Sequence, residues 1–195
     1  MSRLTTPFAA LSLLLLLGGC ATYVDGYRYM PRPAVANVPP TPPQTVPPVT
    51  AFASVIGVHL PDSSQGIPLS IQVDLRIENN GPETVVFEPQ SMQMLDGELM
   101  NFPPPLLAPA GPVTLAPQQA TAVSAMFPFP PGRSYDNTDL NALQLRWAVQ
   151  INGHNQGQAV SFTRAAPVYY YQPYWAYPPP YPWFGFGGVI IVHRR

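Results

Sequence analysis

The sequence predicts an all-β protein: an antiparallel β-sandwich of about seven short strands, with a leader and a proline-rich stretch before it and an aromatic tail after it. Three observations carry this. Residues 69–77 and 143–151 alternate apolar and polar side chains with period two, which gives each strand one aliphatic face. Gly, Pro and Asn interrupt the apolar runs at short intervals, as antiparallel sheets with tight turns require. No stretch between 52 and 165 sustains helical periodicity; only 138–143 could make a single turn.

Residues 1–19 read as a signal peptide, with Arg3 as a short positive region and Phe8 to Leu17 as the apolar run. That run falls short of the roughly 20 apolar residues a membrane-spanning helix needs. The small pair Gly18-Gly19 then precedes the single cysteine of the chain. Leu17-Gly18-Gly19-Cys20 resembles the lipobox of bacterial lipoproteins, a resemblance confined to the first twenty residues. It implies cleavage between Gly19 and Cys20, and acylation of Cys20 by fatty acids such as palmitate. A lone thiol in an oxidising compartment is a liability that acylation removes, and two or more chains make a lasting anchor where one is marginal. Ala21-Thr22 in place of an aspartate after the cysteine implies the outer membrane of a Gram-negative cell, facing the periplasm. The outer surface and a Gram-positive membrane stay open as alternatives.

Composition excludes several classes of function. Charged residues make up 10% of the chain and its formal net charge is −1, so the basic surface that nucleic acid demands is absent. All nine basic residues are arginine, which rules out Schiff-base lysine chemistry, a Ser-Lys dyad and a phosphate-loop lysine. With no cysteine after Cys20, the mature fold has no internal disulfide.

Residues 20–51 are expected to be a lipidated N-terminus and linker. Tyr23, Tyr27 and Tyr29 come first, then Pro31, Pro33, Pro39-Pro40, Pro42-Pro43 and Pro47-Pro48. Proline favours extended polyproline II, and twenty such residues would hold a domain roughly 60 Å from the lipid.

Residues 52–165 are expected to form the sandwich. Leu69, Ile71, Val73, Leu75 and Ile77 share one face of the first clear strand, and Asn79-Asn80-Gly81-Pro82 follows as a turn. Further strands are expected at 85–87, 91–95, 98–102, 113–115 and 122–127, with Asp96-Gly97 as a hairpin turn. The run 143–151, carrying Trp147, is expected to pair with 158–163 beyond an Asn152-Gly153 loop. This order of strands and turns resembles the immunoglobulin-like modules of bacterial envelope lipoproteins, which implies an immunoglobulin-like sandwich without the inter-sheet disulfide.

Residues 166–195 form a tail in which Tyr169, Tyr170, Tyr171, Tyr174, Trp175, Tyr177, Tyr181, Trp183 and Phe184 are interleaved with proline. Such residues give large contact area at small entropic cost and also suit a bilayer interface, so they are the expected partner or membrane contacts. Val189 to Val192 is a short apolar strand candidate that could pair with the sandwich, a partner or another copy.

Candidate chemistry is sparse. His59, His154 and His193 lack metal-site spacing. Met92, Met94, Met100 and Met126 could bind cuprous copper, but methionine suits core filling better. Asp136 and Asp139 have too few oxygen neighbours for calcium. No nucleophile elbow occurs. The expected role is therefore a non-enzymatic, membrane-anchored structural or interaction protein with an envelope protein as partner, no cofactor and no metal. The alternative is a ligand-binding module for a small solute, glycan or metal, gripped by loops 132–139 or 152–157.

Overall fold

The computed structural model of the chain describes residues 23–40, 42 and 45–166. Gly19, Cys20, the aromatic residues from Tyr169 to Phe184, Val189 to Val192 and His193 lie outside them. Eleven strands follow in chain order: β1 (Tyr29–Met30), β2 (Ala34–Asn37), β3 (Val49–His59), β4 (Ser70–Asn79), β5 (Val85–Phe87), β6 (Gln93–Leu95), β7 (Leu106–Ala108), β8 (Val113–Leu115), β9 (Ala120–Pro128), β10 (Ala142–Ile151) and β11 (His154–Arg164). They make two antiparallel sheets facing each other across one core, an immunoglobulin-like sandwich. One sheet runs β2-β3-β4-β9-β7; the other runs β1-β11-β10-β5-β8, with β6 also on β10.

The two alternating runs are the central strands. Ile71, Val73, Leu75 and Ile77 of β4 are fully buried, while β3 and β9 pair along its two edges. Across the core, Leu143, Leu145, Trp147 and Val149 of β10 face them, and β10 pairs with β11 over ten residues. Trp147 is buried in this layer without a neighbouring disulfide. Asn152 (φ 50°) and Gly153 (φ 76°) join β10 to β11 through the left-handed pair of a two-residue hairpin. The expected 152–157 loop is thus a tight turn, with strand resuming at His154.

The linker expectation is corrected. Within 20–51 the chain already forms β1, β2 and the start of β3, and these, with the unexpected β7, give eleven strands rather than about seven. β1 pairs with β11 in one sheet; after Pro31-Arg32-Pro33 the chain crosses to the other, where β2 pairs with β3. Both are edge strands, and no proline falls inside either, so no ladder donor is lost. Tyr23, Tyr27 and Tyr29 pin the segment instead of floating in a tether. The Tyr29 ring is buried and its hydroxyl donates to the Leu140 carbonyl at 3.0 Å. The Tyr27 hydroxyl donates to the Tyr135 carbonyl at 3.0 Å, and the Arg164 guanidinium lies 4.0 Å over the Tyr27 ring. Residues 38–48 then form the connection from β2 to β3.

Two smaller expectations also change. The 91–95 strand begins with a 3-10 turn, Pro89–Ser91, and only Gln93–Leu95 pairs. Residues 98–102 return as a turn with a single bridge, Leu95 to Asn101, because the buried Asp96 carboxylate accepts from the Glu98 and Met100 amides and folds the chain back early.

Burial outweighs surface charge in holding these sheets together. Leu75→Ala is expected to cost roughly 2–5 kcal/mol in chemical denaturation, the usual range for a truncated core leucine. Arg76→Ala, one residue away, removes an exposed ion pair to Glu78 and should cost under about 1 kcal/mol. A second expectation concerns pH. Burial holds the Tyr29 hydroxyl well above the usual phenol range, against an opposing pull from Arg164. The unfolded chain releases that proton near pH 10 while the folded chain keeps it, so the folded state loses stability as pH rises through about 10. Tyr29→Phe should be less stable by about 1 kcal/mol at neutral pH, through the lost hydrogen bond. It should also lose less stability than the parent between about pH 9 and 11 in paired denaturation curves.

Candidate functional site

The two ends of the sandwich differ in what they carry. One end is marked by the pairs His59 to Ser70, Ser70 to Pro128 and Ala142 to Thr163. The other is marked by Val49 to Asn79, Val85 to Leu115 and Ile151 to His154. With β3 eleven residues long, the ends lie about 35 Å apart.

The chain both arrives and leaves at the first end. The Val24 amide donates to Val58 at 2.8 Å, and the Tyr23 ring stands edge-on to His59 with centroids 5.5 Å apart. The Tyr23 hydroxyl donates to Gln72 Oε1. A β-bulge between Val55 and Gly57 makes room for this ring. Gly57 has φ 155°, and a Cβ there would meet the Tyr23 ring at 3.2 Å, so glycine permits both the backbone turn and the close approach. Burial, assisted by Asp74, raises the Tyr23 hydroxyl above its usual range. At the end of β11 the Ala165 amide donates to Arg28 at 2.7 Å, and Arg164 Nε donates to Gly26 at 2.9 Å. The described residues therefore end at Ala166 beside residues 26–28.

Two loops complete this end. The Gly97 amide donates to the Asp139 carbonyl at 2.9 Å, and a Cβ on Gly97 would overlap the Asp139 carboxylate. Asp96-Gly97 was read as a turn pair from its conformational freedom; the glycine is needed for this close approach, and the left-handed residue is Leu99, at φ 62°. Asp139 Oδ1 accepts from the Asn141 amide, and Asn137 knits Ser134 and Gly132 together, so the 132–139 loop is braced by its own polar groups. The nearby Asp62 carboxyl is held below the usual carboxylate range by the Ser64 hydroxyl and amides of its turn.

The opposite end holds a cleft of about 600 Å³. Pro39, Pro40, Pro42, Pro48 and Pro82 form one apolar side, and Asn152, His154, Gln156 and Glu83 supply the polar groups. Asn79 builds its floor: the buried amide donates to the carbonyls of Glu83 and Leu115, and its oxygen accepts from Gly81. The Pro48 carbonyl accepts from Asn80 and Gly81 at 2.8 and 3.0 Å, which fixes the proline loop to the 79–82 turn. The cleft joins residues more than a hundred positions apart; Asn152, His154 and Gln156 of the 152–157 stretch, one of the two expected ligand-gripping loops, lie on it, whereas 132–139 lies at the other end.

The remaining candidates separate. His59 is buried against Tyr23, whereas His154 is exposed on the cleft. Met92 and Met94 are buried in the core, while Met100 is exposed. Among the described residues no three His, Cys, Asp or Glu side chains converge on a metal site, and no helix is long and apolar enough to cross a membrane.

No family model matches the sequence, and no curated protein does. Among solved structures the yjhA protein from Bacillus subtilis is similar at 13% identity and a TM-score of 0.31, over 50% of this chain and 71% of that one. A likeness that slight carries no argument, and the fold stands on its own strand pairing.

Proposed function

We propose that this chain is a lipid-anchored lipoprotein of the cell envelope, held at the outer membrane and facing the periplasm, with a structural or protein-binding role and no catalysis of its own. The observation that carries the reading is Leu17-Gly18-Gly19-Cys20, with its one cysteine three residues ahead of Tyr23, whose hydroxyl donates to Gln72. Three residues span at most about 10 Å. The anchored sandwich thus works close to the bilayer, and a reach of 60 Å is no part of its role. The tail from Tyr169 to Phe184 supplies the binding chemistry: Tyr and Trp contact area pre-ordered by proline. Ala166, where the described residues end, lies at the same end of the sandwich as Tyr23.

A second reading, a tethered ligand-binding module, is favoured by the cleft lined by Pro39, Pro48, His154 and Gln156, whose size suits a small solute or a short glycan.

In-cell cross-linking with mass spectrometry separates the two. The lipidated full chain is expected to capture a specific envelope protein that the chain truncated after Ala166 does not. Equal capture by both forms would remove the tail as the binding segment. The second reading expects a solute to raise the melting temperature, by about 2.7 kcal/mol of added stability at a hundredfold excess over Kd, and expects His154→Ala with Gln156→Ala to abolish that shift.

A further inference from the structure

The end of the sandwich where the chain arrives also carries an exposed apolar tip. Leu99 and Met100 are adjacent, 67% and 56% exposed, at the point of the 96–102 turn, and Met30 at 58% lies on the edge strand of the same end. Single exposed apolar residues are ordinary on protein surfaces. Here two adjoining ones crown a turn that is held rigidly: Asp96 Oδ1 accepts from the Glu98 and Met100 amides, Leu99 donates to the Asp96 carbonyl, and Gly97 is fastened to Asp139. Leu99 holds this position in a left-handed conformation that a glycine or asparagine would adopt with less strain. The same 135–140 loop that grips Gly97 also receives the hydroxyls of Tyr27 and Tyr29. Tip and N-terminal segment are therefore parts of one rigid end.

We infer that this end stands on the lipid surface, with Leu99 and Met100 inserted into the bilayer interface. The inference rests on acylation of Cys20, because the three residues from Cys20 to Tyr23 allow at most about 10 Å of slack. An acylated Cys20 brings this end to the membrane and leaves the proline cleft about 35 Å away, facing outward. Net charge does not drive the contact: the exposed Arg28 and Arg133 of this end are outnumbered by the exposed Asp25, Glu98 and Asp136. The apolar pair makes it, as amphipathic surfaces do at a headgroup boundary.

The test uses the full lipidated chain reconstituted into vesicles of phosphatidylethanolamine and phosphatidylglycerol. Acylation blocks the one native thiol, so a cysteine introduced by Leu99→Cys, Met100→Cys or Asn155→Cys takes a fluorophore at a single place. Flotation with the vesicles reads the anchor, and quenching by spin-labelled lipid reads the orientation. The expected result is flotation of all three, with emission at positions 99 and 100 quenched about twofold or more and emission at 155 unchanged. Flotation with no quenching at 99 or 100, or equal quenching at 155, overturns the orientation while leaving the anchor standing. Failure to float overturns both.

Discussion

Tyr29 ties the fold together at the point where it is most easily undone. Its ring enters the core beside β11 and its hydroxyl reaches the Leu140 carbonyl, a residue more than a hundred positions away. Immediately after it the chain leaves one sheet for the other, so a single short passage edges both layers with β1 and β2. A sandwich with no disulfide depends on such apolar contacts between its sheets, because no covalent cross-link staples them. Tyr23 and Tyr27 extend the same clasp, and Arg164 closes it from the far end of the chain by stacking on Tyr27. The N-terminal segment thus belongs to the domain it was expected merely to carry.

This clasp gives the molecule a direction. Tyr23 and Ala166, the first and last described residues, share one end of the sandwich. The cleft of Pro39, Pro48, His154 and Gln156 opens at the other. On the proposal that Cys20 is acylated, the molecule presents one end to lipid and the other to the space beyond, with a rigid body of about 35 Å between them. Asn79 and the Asp96 turn serve as matching struts, each using one buried side chain to satisfy backbone groups that the sheets leave behind.

The long alternating strands were legible because their inner faces carry Ile, Val, Leu and Trp, which mark period two strongly. β5 and β8 were found to the residue, since turns bound both closely. β2 was missed because its buried face is Ala34 and Ala36, small residues that signal weakly, in a window dominated by proline. β3 was missed for a related reason: Ala51 and Ala53 face inward while Phe52 and Ile56 lie on the outer side, so both faces read as apolar and alternation disappears. The lipobox could be read only in sequence. Of the cleft the sequence showed only the 152–157 stretch; its proline side and the apolar tip could be read only in three dimensions, because each depends on loops that the sheet order brings together.

The central claim is that Cys20 is the first residue of the mature chain and carries lipid. Intact-mass and peptide mass spectrometry of the protein extracted from membranes tests it most directly. The account predicts an N-terminal peptide beginning at Cys20 and heavier by two or more acyl chains, with the signal through Gly19 gone. A mature chain that begins elsewhere, or an unmodified thiol at Cys20, would contradict it.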